Sequence, residues 1–215
     1  MPPTPQAAAE WSSHAETRAG QTGLLRAFPL QGPGIDAGAD EALVAAAQAD
    51  RAAFHALYAR YYPRVFRYLA AKAAGPEEAA DLTQAVFLKA FDNLDRFKPR
   101  STPFASWLFR IARNTAVDAH RRRKPSLPWE FAPQLEATGG VSPEDQVLHA
   151  ERLRQLRTVL RTLNAEKREL LALRYAGGLT VAEIAPLVGK NPEAVKKQLQ
   201  RTLQELKEHT RDWHE

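Results

Sequence analysis

Between residues 125 and 142 the chain carries three prolines, the pair Gly139-Gly140 and no basic residue. Proline lacks a backbone donor and glycine loses much entropy on ordering, so neither helix nor strand propagates through such a stretch. The chain must fold as two pieces on either side of a linker. A length of 215 residues accommodates two small domains. On both sides apolar residues recur every three or four positions, Ala, Leu, Arg and Glu dominate, and β-branched residues are thinly spread. The expected fold is all-α: two small helical domains, residues 40–124 and 143–215, joined by an extended linker.

The formal charge of +5 says little as a total. Divided along the chain it reads −1 for residues 1–39, +6 for 40–124, −4 for 125–149 and +4 for 150–215. From Arg96 to Lys124 nine bases face one acid. Two basic blocks flank an acidic spacer, which points to a polyanionic partner. With no cysteine, a disulfide scaffold, a thiolate zinc site and a thiol nucleophile are excluded. The six histidines are scattered, so neither a metal nor a cofactor is implied. No apolar run approaches the ~20 residues of a bilayer span, and no secretory signal opens the chain, so no membrane insertion and a cytoplasmic location are expected. Residues 1–39, rich in Pro and Gly, read as a disordered extension, with Leu24 to Phe28 as its one apolar run.

Local signals divide the rest. Asp40 is a plausible N-cap for a helix that breaks near Ala49-Asp50, and a second helix runs on to Ala74 with a bend at Pro63. Gly75-Pro76 starts a helix with an acidic first turn that reaches about Leu94. After a basic loop, 96–102, Pro103 opens a helix to about Arg123. Its residues Phe104, Trp107, Leu108 and Ile111 form a core stripe, leaving Arg110, Arg113, Asn114, Val117, Asp118 and Arg121 on another face. Ser142-Pro143 opens a helix to about Leu163, and Asn164 caps another that stops at Gly177-Gly178. Thr180 and Glu183 fit a capping box, Gly189 a turn, and Asn191-Pro192 the start of a last helix. A short helix, a glycine turn and a longer helix displaying Glu193, Ala194, Lys196, Lys197, Gln200 and Arg201 make helix-turn-helix geometry. In that geometry the second helix enters the DNA major groove.

These motifs together resemble the extracytoplasmic-function sigma factors, the minimal bacterial sigma factors with only regions 2 and 4. The resemblance rests on Asp81-Leu82-Thr83-Gln84-Ala85-Val86-Phe87, on Phe104 to Asn114 followed by Asp118 and Arg121 to Arg123, and on Gly178 to Ala185 with Val195-Lys196. It covers about residues 40–124 and 145–210. It implies a region 2 helical bundle and a region 4 helix-turn-helix, and partners that include core RNA polymerase, promoter DNA and an anti-sigma factor. Asp81, Gln84 and Phe87 would contact core polymerase or support that contact. Lys98, Arg100, Ser101, Arg110, Arg113, Asn114, Asp118 and Arg121 would engage and open the −10 element, with Asp118 either orienting Asn114 or Arg121 or sensing an unstacked base. Arg174, Lys190, Glu193, Ala194, Lys196, Lys197, Gln200 and Arg201 would serve the −35 element, with Arg174 and Lys190 clamping flanking phosphates.

The chain departs from the family at Lys197 and Gln198, where a small residue and an Arg are usual, and Pro186 implies a bend or a short 3₁₀ turn. Glu130, Glu136, Glu144 and Asp145 give the linker a charge that could imitate nucleic acid, with Trp129 and Phe131 as apolar anchors. A competing reading is a helix-turn-helix regulator that binds duplex DNA without polymerase; it leaves the basic helix 103–123 unexplained. No paired carboxylates, Gly-rich phosphate loop or Ser/His/Asp set supports an enzyme.

Overall fold

The computed structural model describes residues 37–98, 102–122 and 154–209. The N-terminal extension to residue 36, Arg100 and Ser101, and the linker with Trp129, Glu130, Phe131, Glu136, Glu144 and Asp145 lie outside these residues. The first module comprises α1 (Ala37–Ala49), a 3₁₀ turn (Arg51–Ala53), α2 (Phe54–Ala70), α3 (Pro76–Asn93), a second 3₁₀ turn (Leu94–Arg96) and α4 (Phe104–Arg122). The second comprises α5 (residues 154–162), α6 (Ala165–Leu171) running into a wide π turn (Ala172–Ala176), α7 (Val181–Val188) and α8 (Pro192–His209). No strand occurs among the described residues.

Side-chain chemistry sets most boundaries. Asp50 accepts from the Ala52 amide and ends α1. Asn164 accepts from the Lys167 amide, Thr180 and Glu183 form a complete capping box, and Asn191 accepts from the Ala194 amide at 2.7 Å. Gly189 closes α7 at φ +67°, a conformation that favours glycine.

Two expected features take a different form. Asp40 is not a cap: α1 begins three residues earlier, and Asp40 is buried, accepting the Tyr61 hydroxyl and pairing with Arg60 Nε at 2.8 Å. Pro186 breaks nothing, since α7 stays helical to Val188 with Pro186 exposed. Pro63 likewise lies inside α2, where it and Ala59, whose carbonyl loses a partner, are both exposed to water.

In the first module Leu57, Tyr61, Val65, Tyr68 and Leu69 of α2 are fully buried beside Val86 and Phe87 of α3 and Phe104, Leu108 and Phe109 of α4. Each such side chain contributes about 1.5–3 kcal/mol by leaving water. In the second, Ile184 and Leu187 of α7 are buried with Val195 and Leu199 of α8, the packing that a helix-turn-helix requires. The modules also touch: α4 lies against α7, and the π turn against α2.

Candidate nucleic-acid interface

On α3, Asp81, Gln84 and Leu88 succeed one another at helical spacing and are all exposed, while Leu82, Val86 and Phe87 point inward. Phe87 is therefore a support and not a surface contact; its ring meets those of Tyr58 at 4.7 Å and Phe54 at 6.4 Å. Leu88, 59% exposed, is an apolar member of this outward face that the motif alone did not single out. An exposed leucine inside a helical stripe carries no signal until the neighbouring helices are placed.

On α4 the division into two faces holds. Phe104 and Leu108 are buried, whereas Arg110, Asn114, Val117, Asp118 and Arg121 are exposed. Trp107 is half-buried, 4.9 Å from the Phe97 ring and 5.5 Å from that of Phe104. Its other side, with Ile111, lines a cleft of about 430 Å³ between α3 and α4. Asn114 and Asp118 reach this cleft from α4, and Lys89, Asn93 and Arg96 from the opposite wall. Lys89 donates from Nζ to Thr115 Oγ1 at 3.1 Å across it. Lys89 and Thr115 escaped sequence reasoning because they come from different helices 26 residues apart.

Asp118 stands with Asn114 in the wall of the cleft, and its backbone carbonyl accepts from Arg122 Nε at 3.2 Å. Arg113 also differs from expectation. It is partly covered, and its Nε lies 3.6 Å from Glu169 of the second module. Lys98 is exposed at the start of the basic loop, whose base is held by Gln48, donating to the carbonyls of Leu94 at 2.8 Å and Phe97 at 2.9 Å. Arg100 and Ser101 lie outside the described residues.

On α8, Glu193, Lys196, Lys197, Gln200 and Arg201 are exposed and Ala194 is half-buried beside its cap. They share a continuous outward surface opposite Val195 and Leu199. The two proposed phosphate clamps are engaged elsewhere. Arg174 is 3% exposed and donates from Nη1 to the Leu179 carbonyl at 2.7 Å, and burial lowers its pKa. Arg174 follows the buried Leu170 and Leu171 by four and three residues and so shares their face, and along the π turn Ala172 and Leu173 are buried as well. Lys190 pairs with Glu166 and donates to Gln198 Oε1 at 2.7 Å, and its ammonium holds the Glu166 carboxyl below the ordinary range. Gln198 thus has a partner inside the module. No cluster of metal-ligating side chains occurs among the described residues, and none of their helices is long and apolar enough to cross a membrane.

Residues 57–125 match the family model described as sigma-70 region 2, and residues 153–206 the one described as sigma-70, region 4. The chain is 36% identical over 166 residues to the ECF RNA polymerase sigma factor BldN of Streptomyces coelicolor, a match covering 76% of this chain and 63% of that one. It therefore spans less than two thirds of that relative's length. It is 32% identical over 185 residues to the ECF RNA polymerase sigma factor SigD of Mycobacterium tuberculosis, covering 83% of this chain and 85% of that one. Among solved structures it is similar to CnrH in complex with the cytosolic domain of CnrY, with a TM-score of 0.55, 26% identity and coverage of 80% and 95% of the two chains. The fold is also that of RpoE of Bartonella quintana, solved with the anti-sigma factor NepR, at a TM-score of 0.55, 21% identity and coverage of 74% and 96%. A region 2 bundle carrying a cationic cleft-edged helix, followed by a region 4 helix-turn-helix, makes this chain a member of the ECF sigma factors of the sigma-70 family.

Proposed function

We propose that this sigma factor docks on core RNA polymerase through the outward face of α3, with Asp81, Gln84 and Leu88 as contacts and Phe87 as their support. It then directs the enzyme to promoters through two DNA surfaces. Arg110 and Arg121 hold phosphates of the −10 element, while Asn114 and Asp118 receive a base from the opened strand in the α3–α4 cleft. The cleft beside a cationic face carries this reading: Trp107 and Ile111 offer apolar surface, and Asn114, Asp118 and Lys89 offer donors and acceptors to base edges. Lys98, Arg100 and Ser101 also serve the −10 element.

Region 4 reads the −35 element by setting Glu193, Ala194, Lys197 and Gln200 against bases and Lys196 and Arg201 against phosphates. Arg174 and Lys190 stabilise region 4 from within instead of clamping DNA. The chain works in the cytoplasm, catalyses no reaction of its own, and is held in check by a bound protein of the anti-sigma kind; CnrH is seen with the cytosolic domain of CnrY and RpoE with the anti-sigma factor NepR.

The test is transcription from a promoter with purified core polymerase. Asn114→Ala should slow strand opening more than initial binding. Lys197→Ala should weaken −35 engagement and spare opening once bound. Equal effects of both variants on both steps would overturn the division, and a chain that shifts duplex DNA without binding core polymerase would favour the independent regulator.

A further inference from the structure

We propose that the α3–α4 cleft selects guanine in the opened strand, with the Asp118 carboxylate reading its Watson–Crick edge and the Lys89 ammonium reading O6 and N7. The inference rests on the reading above, in which this cleft receives a base.

The cleft has two unlike ends. Lys89 stands across from Thr115, joined by the Nζ to Oγ1 bond of 3.1 Å, and Phe97 stands across from Trp107, with ring centroids 4.9 Å apart. The α3 wall and the turn that follows it therefore run antiparallel to α4. At the Trp107 end the surface is apolar, with Ile111 one turn further along α4. At the other end Asp118 follows Thr115 by three residues on the same stripe of α4, so its carboxylate and Lys89 belong to one end of the cleft and to facing walls. Thr115 is 2% exposed and fixed on a buried face, which makes it a firm anchor for the ammonium. An ammonium has three donors, so the bond to Thr115 leaves two for a base.

Unpaired bases differ in the edge they offer to such a pair. A carboxylate accepts through two oxygens and donates nothing. Guanine presents two parallel donors, N1–H and the N2 amino group, and satisfies both oxygens. Adenine and cytosine set a ring acceptor beside their amino donor, and thymine flanks its N3–H with two carbonyls. Each of these three turns a lone pair toward a carboxylate oxygen. On the adjoining edge guanine carries O6 and N7, the acceptor pair that a Lys or Arg side chain reads. A cation facing a carboxylate thus fits one base of the four. The cleft, about 430 Å³, falls in the ~300–1,000 Å³ range of small-molecule sites and has room for a purine.

The full-length chain bound to core polymerase is offered a pool of randomised single-stranded DNA, with core polymerase alone as the control, and the retained strands are sequenced. Guanine enriched about tenfold over each other base at one position is expected, the discrimination of a good bidentate contact. Asp118→Asn sets a donor beside an acceptor, so it should exchange guanine for adenine or cytosine at that position, a change that loss of structure does not produce. Guanine analogues placed there then separate the two contacts. Hypoxanthine, which lacks the N2 amino group, should bind the wild type severalfold more weakly than guanine, and Asp118→Asn no more weakly. 7-Deazaguanine, which lacks N7, should show the same loss with the wild type and none with Lys89→Met. No position enriched in guanine, guanine still preferred by Asp118→Asn, or analogue losses that persist in both variants would each overturn the assignment while leaving the sigma reading intact. A chain that never binds core polymerase overturns the sigma reading instead.

Discussion

The interior of region 2 and its contact with region 4 are built from different materials. Inside, α2, α3 and α4 meet through Leu57, Val65, Leu69, Val86, Phe87 and Leu108, with rings packed edge to face, as Tyr68 against Phe109 at 5.4 Å. Between modules, polar groups of Arg64, Tyr68, Lys72, Ser106, Arg113 and Glu169 are added to an apolar seam in which Phe109 and Leu179 close on Gly177. An apolar face cannot be re-exposed cheaply, whereas ionic and hydroxyl groups recover most of their loss by rehydration. The helix α2 thus lines both an apolar core and a mixed, partly ionic contact.

The largest effect should come from the interior. Leu69→Ala removes a fully buried side chain and should cost about 2–5 kcal/mol in denaturant unfolding, with loss of region 2 structure. A cost near that of a surface change would mean that region 2 is not the permanent unit. Next comes the boundary itself. In Gly177→Ala the added Cβ would lie 2.7 Å from Phe109 Cε1 and 2.8 Å from the Leu173 carbonyl. Backbone cannot yield as a flexible side chain does, so about 1–3 kcal/mol of overpacking is expected. Because that Cβ also meets Phe109 of region 2, hydrogen exchange at the π turn should quicken as well.

Helices and caps were legible because their signals are local. Asn164, the Thr180-Glu183 box, Gly189 and Asn191 each act within four residues, and each takes the place expected of it. What escaped depends on distance. The pairs Tyr68–Glu169 and Lys72–Glu169 are 101 and 97 residues apart, so nothing in either segment announces the other. Arg174 was assigned to a phosphate by the family resemblance, yet it follows the buried Leu170 and Leu171 by four and three residues and shares their inward face. The exposed face of α4 was readable from its spacing alone. Its cleft was not, since Lys89 and Thr115 meet only when α3 and α4 pack.

Tyrosine ionisation separates the two environments at high pH. Burial raises the pKa of Tyr61, the Asp40 carboxylate and the more distant Glu183 raise it further, and Arg64 opposes them. Burial also raises that of Tyr68, reinforced by Glu169 and opposed by Arg113. Each folded tyrosine keeps its proton above pH 10, where the unfolded chain loses it. The folded state then binds more protons, and stability falls by about 1.4 kcal/mol per pH unit per tyrosine. Lys72, whose pKa is lowered mainly by burial, acts in the other direction as pH rises toward its ordinary value of 10.5. Tyr61→Phe should therefore flatten the fall in unfolding stability above pH 10. Tyr68→Phe, at the contact with region 4, should flatten it as well, and an unchanged slope in either variant would mean that the tyrosine ionises as readily folded as unfolded.

The smallest effect tests where the boundary runs inside region 4. Thr180 accepts from the Glu183 amide while the Glu183 carboxylate accepts from the Thr180 amide at 2.7 Å and its hydroxyl at 2.9 Å. The same Glu183 offers its backbone carbonyl to Ser106 of region 2. Thr180→Ala leaves that carbonyl in place and removes only the cap, so it should cost about 1 kcal/mol of region 4 stability, read by thermal unfolding. Ser106→Ala removes the inter-module donor and spares the cap, so it should cost region 4 less than Thr180→Ala does. Should the two variants cost the same, the cap and the inter-module contact form one unit, and the first turn of α7 orders only when it rests on α4.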